Sequence, residues 1–188
     1  MARFPSLPDI PQLTDVFRLF PKGVWPLCEY HDVVLRGPSP LTVGERELIA
    51  AYVSGINACA YCQGAHRIFA EIHGIDAQVF EQLITDPAAA GVSGRLLPIL
   101  TYVKKLTQSP AMVSDRDASA VYAEGWGEEA LYDAICVCAL FNFMNRIVEG
   151  CGVVTNDMFK AEQRSRMETS RDNPQAYRNF ARMLGVTD

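Results

Sequence analysis

Apolar positions recur every three to four residues along almost the whole chain, the spacing that gathers them on one face of an α-helix. No stretch alternates as a half-buried strand does, and no hairpin signal appears. Pro5, Pro8 and Pro11 punctuate residues 1–11 and predict an extended arm, followed by a short amphipathic segment from Thr14 to Phe20. Pro21, Gly23 and Pro26 predict a break, then a helix from about Leu27 to Leu35 and a loop from Arg36 to Pro40. Thr42 with Glu45 reads as a capping box opening a helix that runs to about Asn57. A second helix is predicted from about Ala60 to His73, stopped by Gly74. Asp76 caps a short helix with Phe80, Leu83 and Ile84, and Asp86 to Gly91 is a loop. A helix from Ser93 to Gln108 follows, with Pro98 kinking it or sitting in its first turn. Ser114 caps a segment to Glu124, closed by Gly125-Trp126-Gly127. From Glu128 to Glu149 apolar residues surround nearly the whole circumference, which predicts a buried central helix ending at Gly150. The tail, Met158 to Leu184, is more polar and breaks at Asn173-Pro174.

This pattern predicts one all-α domain for the 188 residues: an arm and first helix over 1–40, a core over 41–152 and a helical tail over 153–188. A net charge of −5 argues against nucleic acid or an anionic membrane as the main partner. The apolar run from Ile135 to Phe141 stops at Asn142, short of the roughly 20 residues that span a bilayer. The N-terminus has no apolar stretch of the signal-peptide kind. A cytoplasmic protein with no membrane partner is expected, and six cysteines in a reducing compartment are not a disulfide framework.

Cys59 and Cys62 form a C-x-x-C pair, His66 stands four residues after Cys62, and Glu47 lies on the preceding helix. A vicinal dithiol cycles between dithiol and disulfide, and a helix N-terminus or a neighbouring imidazole lowers a thiol pKa. Cys62 and His66, four apart, are neighbours on one helix face. The turn around Ile56-Asn57 allows Glu47 to fold back on His66 and orient it or relay its proton. Two other readings use the same residues. The cysteines are buried packing residues, or Cys59, Cys62 and His66 bind zinc with Glu47 or His73 as fourth ligand. His73 beside Gly74 reads as a helix C-terminal residue meeting carbonyls. His31 with Cys28 reads as a chance pairing, and Arg146 with Glu149 as a structural ion pair.

The spacing E-x11-C-x2-C-x3-H, Glu47 to His66, resembles the core of the alkylhydroperoxidase D-like (AhpD-like) branch of the carboxymuconolactone decarboxylase superfamily. Leu41-Thr42-Val43-Gly44-Glu45-Arg46-Glu47, Asn57-Ala58-Cys59-Ala60-Tyr61-Cys62 and Ala65-His66 carry the likeness over residues 40–75. A looser one spans Ala134 to Gly152, where Phe141-Asn142-Phe143-Met144-Asn145-Arg146 is similar to the peroxidase-related subgroup. The resemblance implies an all-helical homo-oligomer (dimer, trimer or trimer of dimers) and a thiol peroxidase that reduces a hydroperoxide. In it Cys62 is the peroxidatic thiol, Cys59 the resolving one, and Glu47 and His66 the proton relay. An external dithiol or lipoyl-type reductant closes the cycle, with no metal or other cofactor. One position departs from the prototype, which has a second His between the cysteines where this chain has Tyr61. A thiol–disulfide oxidoreductase without peroxidase activity and a zinc-stabilised, non-catalytic oligomeric binding protein are the alternative functions.

Overall fold

In the computed structural model, which describes residues 3–154 and 161–187, every α-helix and 3₁₀ turn falls within one domain and no strand occurs among the described residues. The helices are α1 (Leu13–Leu19), α2 (Val24–Arg36), α3 (Val43–Ile56), α4 (Ala60–Ile72), α5 (Val79–Gln82), α6 (Leu97–Gln108), α7 (Asp115–Ala123), α8 (Glu128–Cys151), α9 (Ala161–Thr169) and α10 (Ala176–Met183). The all-α expectation holds. Residues 158–160 of the predicted tail lie outside the described residues.

The centre of the molecule is the α3–α4 pair. Thr42 and Glu45 form the capping box, with the Glu45 backbone N–H donating to the Thr42 hydroxyl at 3.2 Å. This satisfies donors that the first turn of a helix otherwise leaves bare. At the far end the Cys59 N–H donates to the Ser54 carbonyl at 2.9 Å and the Ala58 N–H to the Gly55 carbonyl at 3.0 Å. That pair of bonds is a Schellman closure, which needs a left-handed residue, usually glycine. Here it is Ala58, at φ 56°, held in a conformation that costs an L-residue roughly 1–2 kcal/mol. The close approach of the two helices also demands Gly44, because a Cβ there would lie 2.8 Å from the His73 carbonyl oxygen.

Helix α8 packs across α3 and also meets α2, α4, α6 and α7, while α10 lies along α2. Leu35, Leu48, Ile49, Tyr52, Ile99, Leu100, Val137 and Phe141 fill the space between them. On length and composition α8 would span a bilayer, but half of its apolar window is buried against the other helices, as in a core helix.

Several boundaries differ from expectation, among them α5, whose N-cap is Gln78 instead of Asp76 and which ends before Leu83 and Ile84. The arm turns instead of extending: the Leu7 N–H bonds the Phe4 carbonyl, Leu7 is buried and Phe4 packs on Phe20 at 5.5 Å. Helix α2 starts at Val24 with Pro26 inside its first turn, where no intrahelical N–H is lost, since the first such bond is Leu27 N–H to the Gly23 carbonyl. Helix α6 starts at Leu97 instead of Ser93, after a 3₁₀ turn at Gly94–Leu96, and Pro98 sits in its first turn, one of the two places expected. Helix α8 runs through Gly150 and ends at Gly152, which takes the left-handed conformation (φ 72°); one glycine inside a well-packed helix costs only about 1 kcal/mol. Nor is α8 buried all round, for Tyr132 and Phe143 are 66% and 50% exposed.

Candidate active site

Cys59 is the N-cap of α4 and Cys62 sits one turn in, both buried as free thiols under α8. The two sulfurs are hydrogen-bonded to one another, and the Cys62 backbone N–H also reaches the Cys59 sulfur. The sulfur–sulfur hydrogen bond and this helix-terminal N–H draw the Cys59 thiol below its ordinary range. Loss of a second proton, assigned to Cys62, is pushed far up by the neighbouring sulfur and by burial. The pair therefore behaves as one dithiol whose first proton leaves more easily than its second.

One turn further along α4, His66 contacts Glu47 of α3: Nδ1 and Oε2 are 2.5 Å apart. Glu47 is wholly buried, and its other oxygen accepts from Arg36 Nη1 at 2.5 Å. Burial alone would raise the Glu47 carboxyl, but Arg36 and His66 outweigh it and hold the group at about 2. An ionised carboxylate only accepts, so His66 Nδ1 carries the proton and donates, which leaves Nε2 free for exchange. The His66 ring lies edge-on to Phe141, centroids 4.2 Å apart, and this fixes its plane.

The sequence pattern places Arg36 at the start of a loop. It is instead the last residue of α2, and its guanidinium lies over the rings of Phe69 and Tyr177. Tyr177 is brought there by α10, whose N-terminus docks on buried Asp32: the N–H groups of Tyr177 and Arg178 donate to its carboxylate at 2.9 and 3.1 Å. His31 is also buried at this wall, Nδ1 paired with the Leu27 carbonyl and the ring 4.9 Å from that of Tyr177. Burial lowers its pKa to about 4, so it is neutral near pH 7. Sequence spacing carried no sign of this arrangement, since Asp32 and Tyr177 are 145 residues apart.

From α8, Asn145 accepts from Asn57 at 2.9 Å and donates to Ser54 Oγ at 3.0 Å, so that it is tied into the turn that presents Cys59. Arg146 bonds the carbonyl and amide oxygens of Asn142. The Arg146–Glu149 ion pair expected from spacing is replaced by these contacts.

Glu47, Cys59, Cys62 and His66 thus lie together, while His73 stands apart with its ring nitrogens on the carbonyls of Phe69 and Arg171. No group of three or more His, Cys, Asp or Glu side chains among the described residues is placed to hold a metal ion. The surface clefts between α6 and α7 and beside α1 include none of the site residues.

Residues 21–104, which contain all four site residues, match the model of the carboxymuconolactone decarboxylase family. A solved structure from Ralstonia eutropha JMP134, described as an alkylhydroperoxidase AhpD core and an uncharacterized peroxidase-related protein, superposes with a TM-score of 0.75 at 25% identity. The match covers 84% of this chain and 94% of that one. The chain thus carries the family's sequence pattern over residues 21–104 and shares the fold of an AhpD core. A second solved structure of similar fold, an uncharacterized peroxidase-related protein from Silicibacter sp. TM1040, has a TM-score of 0.73 at 24% identity over 79% of this chain and 78% of that one. No curated protein matches the chain significantly in sequence.

Proposed function

We propose that this AhpD-like protein is a thiol-dependent peroxidase that reduces hydroperoxides through a dithiol/disulfide cycle at Cys59 and Cys62. The observation that carries this reading is the buried sulfur pair at the start of α4, one helical turn from a His66 that is oriented by an ionised Glu47. Cys62 attacks, because it retains 4% exposure where Cys59 has none and because His66 follows it by one turn. Its thiolate takes the outer oxygen of the O–O bond and becomes a sulfenic acid, and the alkoxide leaves as the alcohol after accepting a proton delivered through His66. The Cys59 sulfur then displaces hydroxide from the sulfenic sulfur, giving a disulfide and water. An external dithiol, of the lipoyl type in the prototype, restores the pair by exchange. A reducing compartment such as the cytoplasm suits this cycle.

The functional form is a homo-oligomer. Tyr30 and Val33 of α2 and Tyr132 and Phe143 of α8 are 44%, 60%, 66% and 50% exposed, which is costly apolar surface for an isolated chain. Helices α2 and α8 pack on one another.

The test of the nucleophile is the Cys59→Ser variant treated with an organic hydroperoxide and a dione that traps sulfenic acids. The adduct is expected on Cys62. An adduct on Cys59 in the converse Cys62→Ser variant, with none on Cys62 in Cys59→Ser, reverses the roles.

A further inference from the structure

Arg36 is the cation that holds Glu47 ionised, yet hydrogen bonds alone fix it loosely. Its Nη1 donates to Glu47 Oε1 at 2.5 Å and to the Leu35 carbonyl at 3.1 Å, while its buried Nε has no hydrogen-bond partner among the described residues. The rest of the hold is aromatic. The guanidinium carbon lies 5.3 Å from the Phe69 ring centroid and 5.5 Å from that of Tyr177, both within the roughly 6 Å reach of a cation–π contact. The two ring centroids are 6.5 Å apart and close over a side chain that is only 4% exposed. Phe69 belongs to α4, but Tyr177 comes from α10, outside the family-matched residues 21–104. Helix α10 has no side-chain cap of its own, and Asp32 of α2 takes that place. Its carboxylate accepts from the Tyr177 and Arg178 N–H groups, as an N-cap side chain would, and pairs with Arg178 Nε at 2.9 Å. The Tyr177 phenol oxygen is buried and likewise has no partner among the described residues, so the ring, not the hydroxyl, makes the contact with Arg36.

We infer that Tyr177 is a positioning residue of the relay: with Phe69 it encloses the Arg36 guanidinium, keeps it on Glu47, and so holds His66 with one proton, on Nδ1, and Nε2 open. The reason is charge balance. Arg36 and Glu47 make a neutral buried pair beside an uncharged ring, and a proton on Nε2 would add an uncompensated positive charge to a buried site. Asp32 and Arg178 neutralise one another and His31 is neutral, so the neighbouring wall adds no net charge. When α10 lets go, water reaches Arg36 and weakens its hold on Glu47. The carboxylate then takes its countercharge from His66, which becomes imidazolium and can no longer accept the Cys62 proton. Docking of the C-terminal helix at Asp32 is thereby coupled to proton transfer at Cys62, one turn along α4 from the ring. Only this last consequence rests on the peroxidase reading.

The test is the 15N spectrum of the His66 ring at pH 7 in the full chain, with helicity and oligomeric mass checked against wild type. Wild type should show a protonated Nδ1 and a bare Nε2. Tyr177→Ala should show both nitrogens protonated in a large share of molecules, and Tyr177→Phe, which keeps the ring, should restore the wild-type pattern. Asp32→Asn, which loosens α10 and leaves the relay residues in place, should resemble Tyr177→Ala, and it decides the matter if Tyr177→Ala does not fold. A wild-type pattern in the folded Tyr177→Ala or Asp32→Asn chain, or its loss in Tyr177→Phe, overturns the inference. The second readout is oxidation of Cys62 by an organic hydroperoxide. Tyr177→Ala should slow it about tenfold, as a small displacement in a catalytic arrangement does, and Tyr177→Phe should restore it. An altered spectrum with unaltered oxidation overturns the coupling to Cys62. A wild-type chain inert to hydroperoxide counts against the peroxidase reading, and the spectrum still decides whether Tyr177 sets the state of His66.

Discussion

Replacing Arg36 by Met removes the only arginine paired with Glu47 among the described residues while keeping a side chain of similar reach. Glu47 is fully buried and held at about 2 instead of the ordinary 4.5, a difference equivalent to roughly 3 kcal/mol. The sign follows from the lowered value. Glu47 contributes this stability in full above pH 4.5 and loses it as the pH falls from 4.5 towards 2. Without Arg36 the carboxylate keeps only His66 against the cost of burial, and breaking such a pair typically costs about 3–5 kcal/mol. Urea unfolding followed by far-ultraviolet circular dichroism, at fixed protein concentration because assembly contributes to stability, measures the loss. Arg36→Met should lose about 3–5 kcal/mol at pH 7 and much less near pH 2.5, where wild type has surrendered most of the Glu47 contribution. Adding Glu47→Gln should recover much of the loss at pH 7, since no buried charge then remains. A loss below about 1 kcal/mol, or one that is the same at both pH values, would refute the buried ion-pair account.

Two further outcomes bear on relay and assembly. Single Glu47→Gln and His66→Gln variants should each slow thiol oxidation by about 10²-fold and the double variant little more, because the carboxylate acts through the ring it orients; additive losses would show independent roles. Light scattering at micromolar concentration should give a mass of at least two chains, and Phe143→Glu on the exposed apolar stretch of α8 should lower it; a wild-type chain that scatters as a monomer would sink the oligomer.

Much of the site was legible because its signals are local. The capping box at Thr42, the stop at Gly74 and the C-x-x-C-x-x-x-H spacing each act within a turn or two of helix, so residue type and spacing suffice. The Glu47–His66 contact followed from folding two helices back on a short turn. What escaped the sequence reading depends on which helices meet in space. Arg36 precedes Gly37-Pro38 and so reads as a loop, although its function comes from Glu47 and the ring of Tyr177. Asp32, an acidic residue amid an apolar helix, is satisfied only by the start of α10. Apolar periodicity also cannot separate a core face from an exposed one, and Tyr132 and Phe143 lie on the exposed side of α8. Spacing alone pairs Arg146 with Glu149, whereas in the fold Arg146 turns back to the carbonyl and amide oxygens of Asn142.

The most direct test of the peroxidase account is the intact mass of the fully reduced protein before and after one equivalent of an organic hydroperoxide. The account predicts the loss of two hydrogens, mapped to a disulfide between Cys59 and Cys62, with the mass restored by a dithiol. An unchanged mass, or oxidation confined to the other four cysteines while this pair stays reduced, would contradict it.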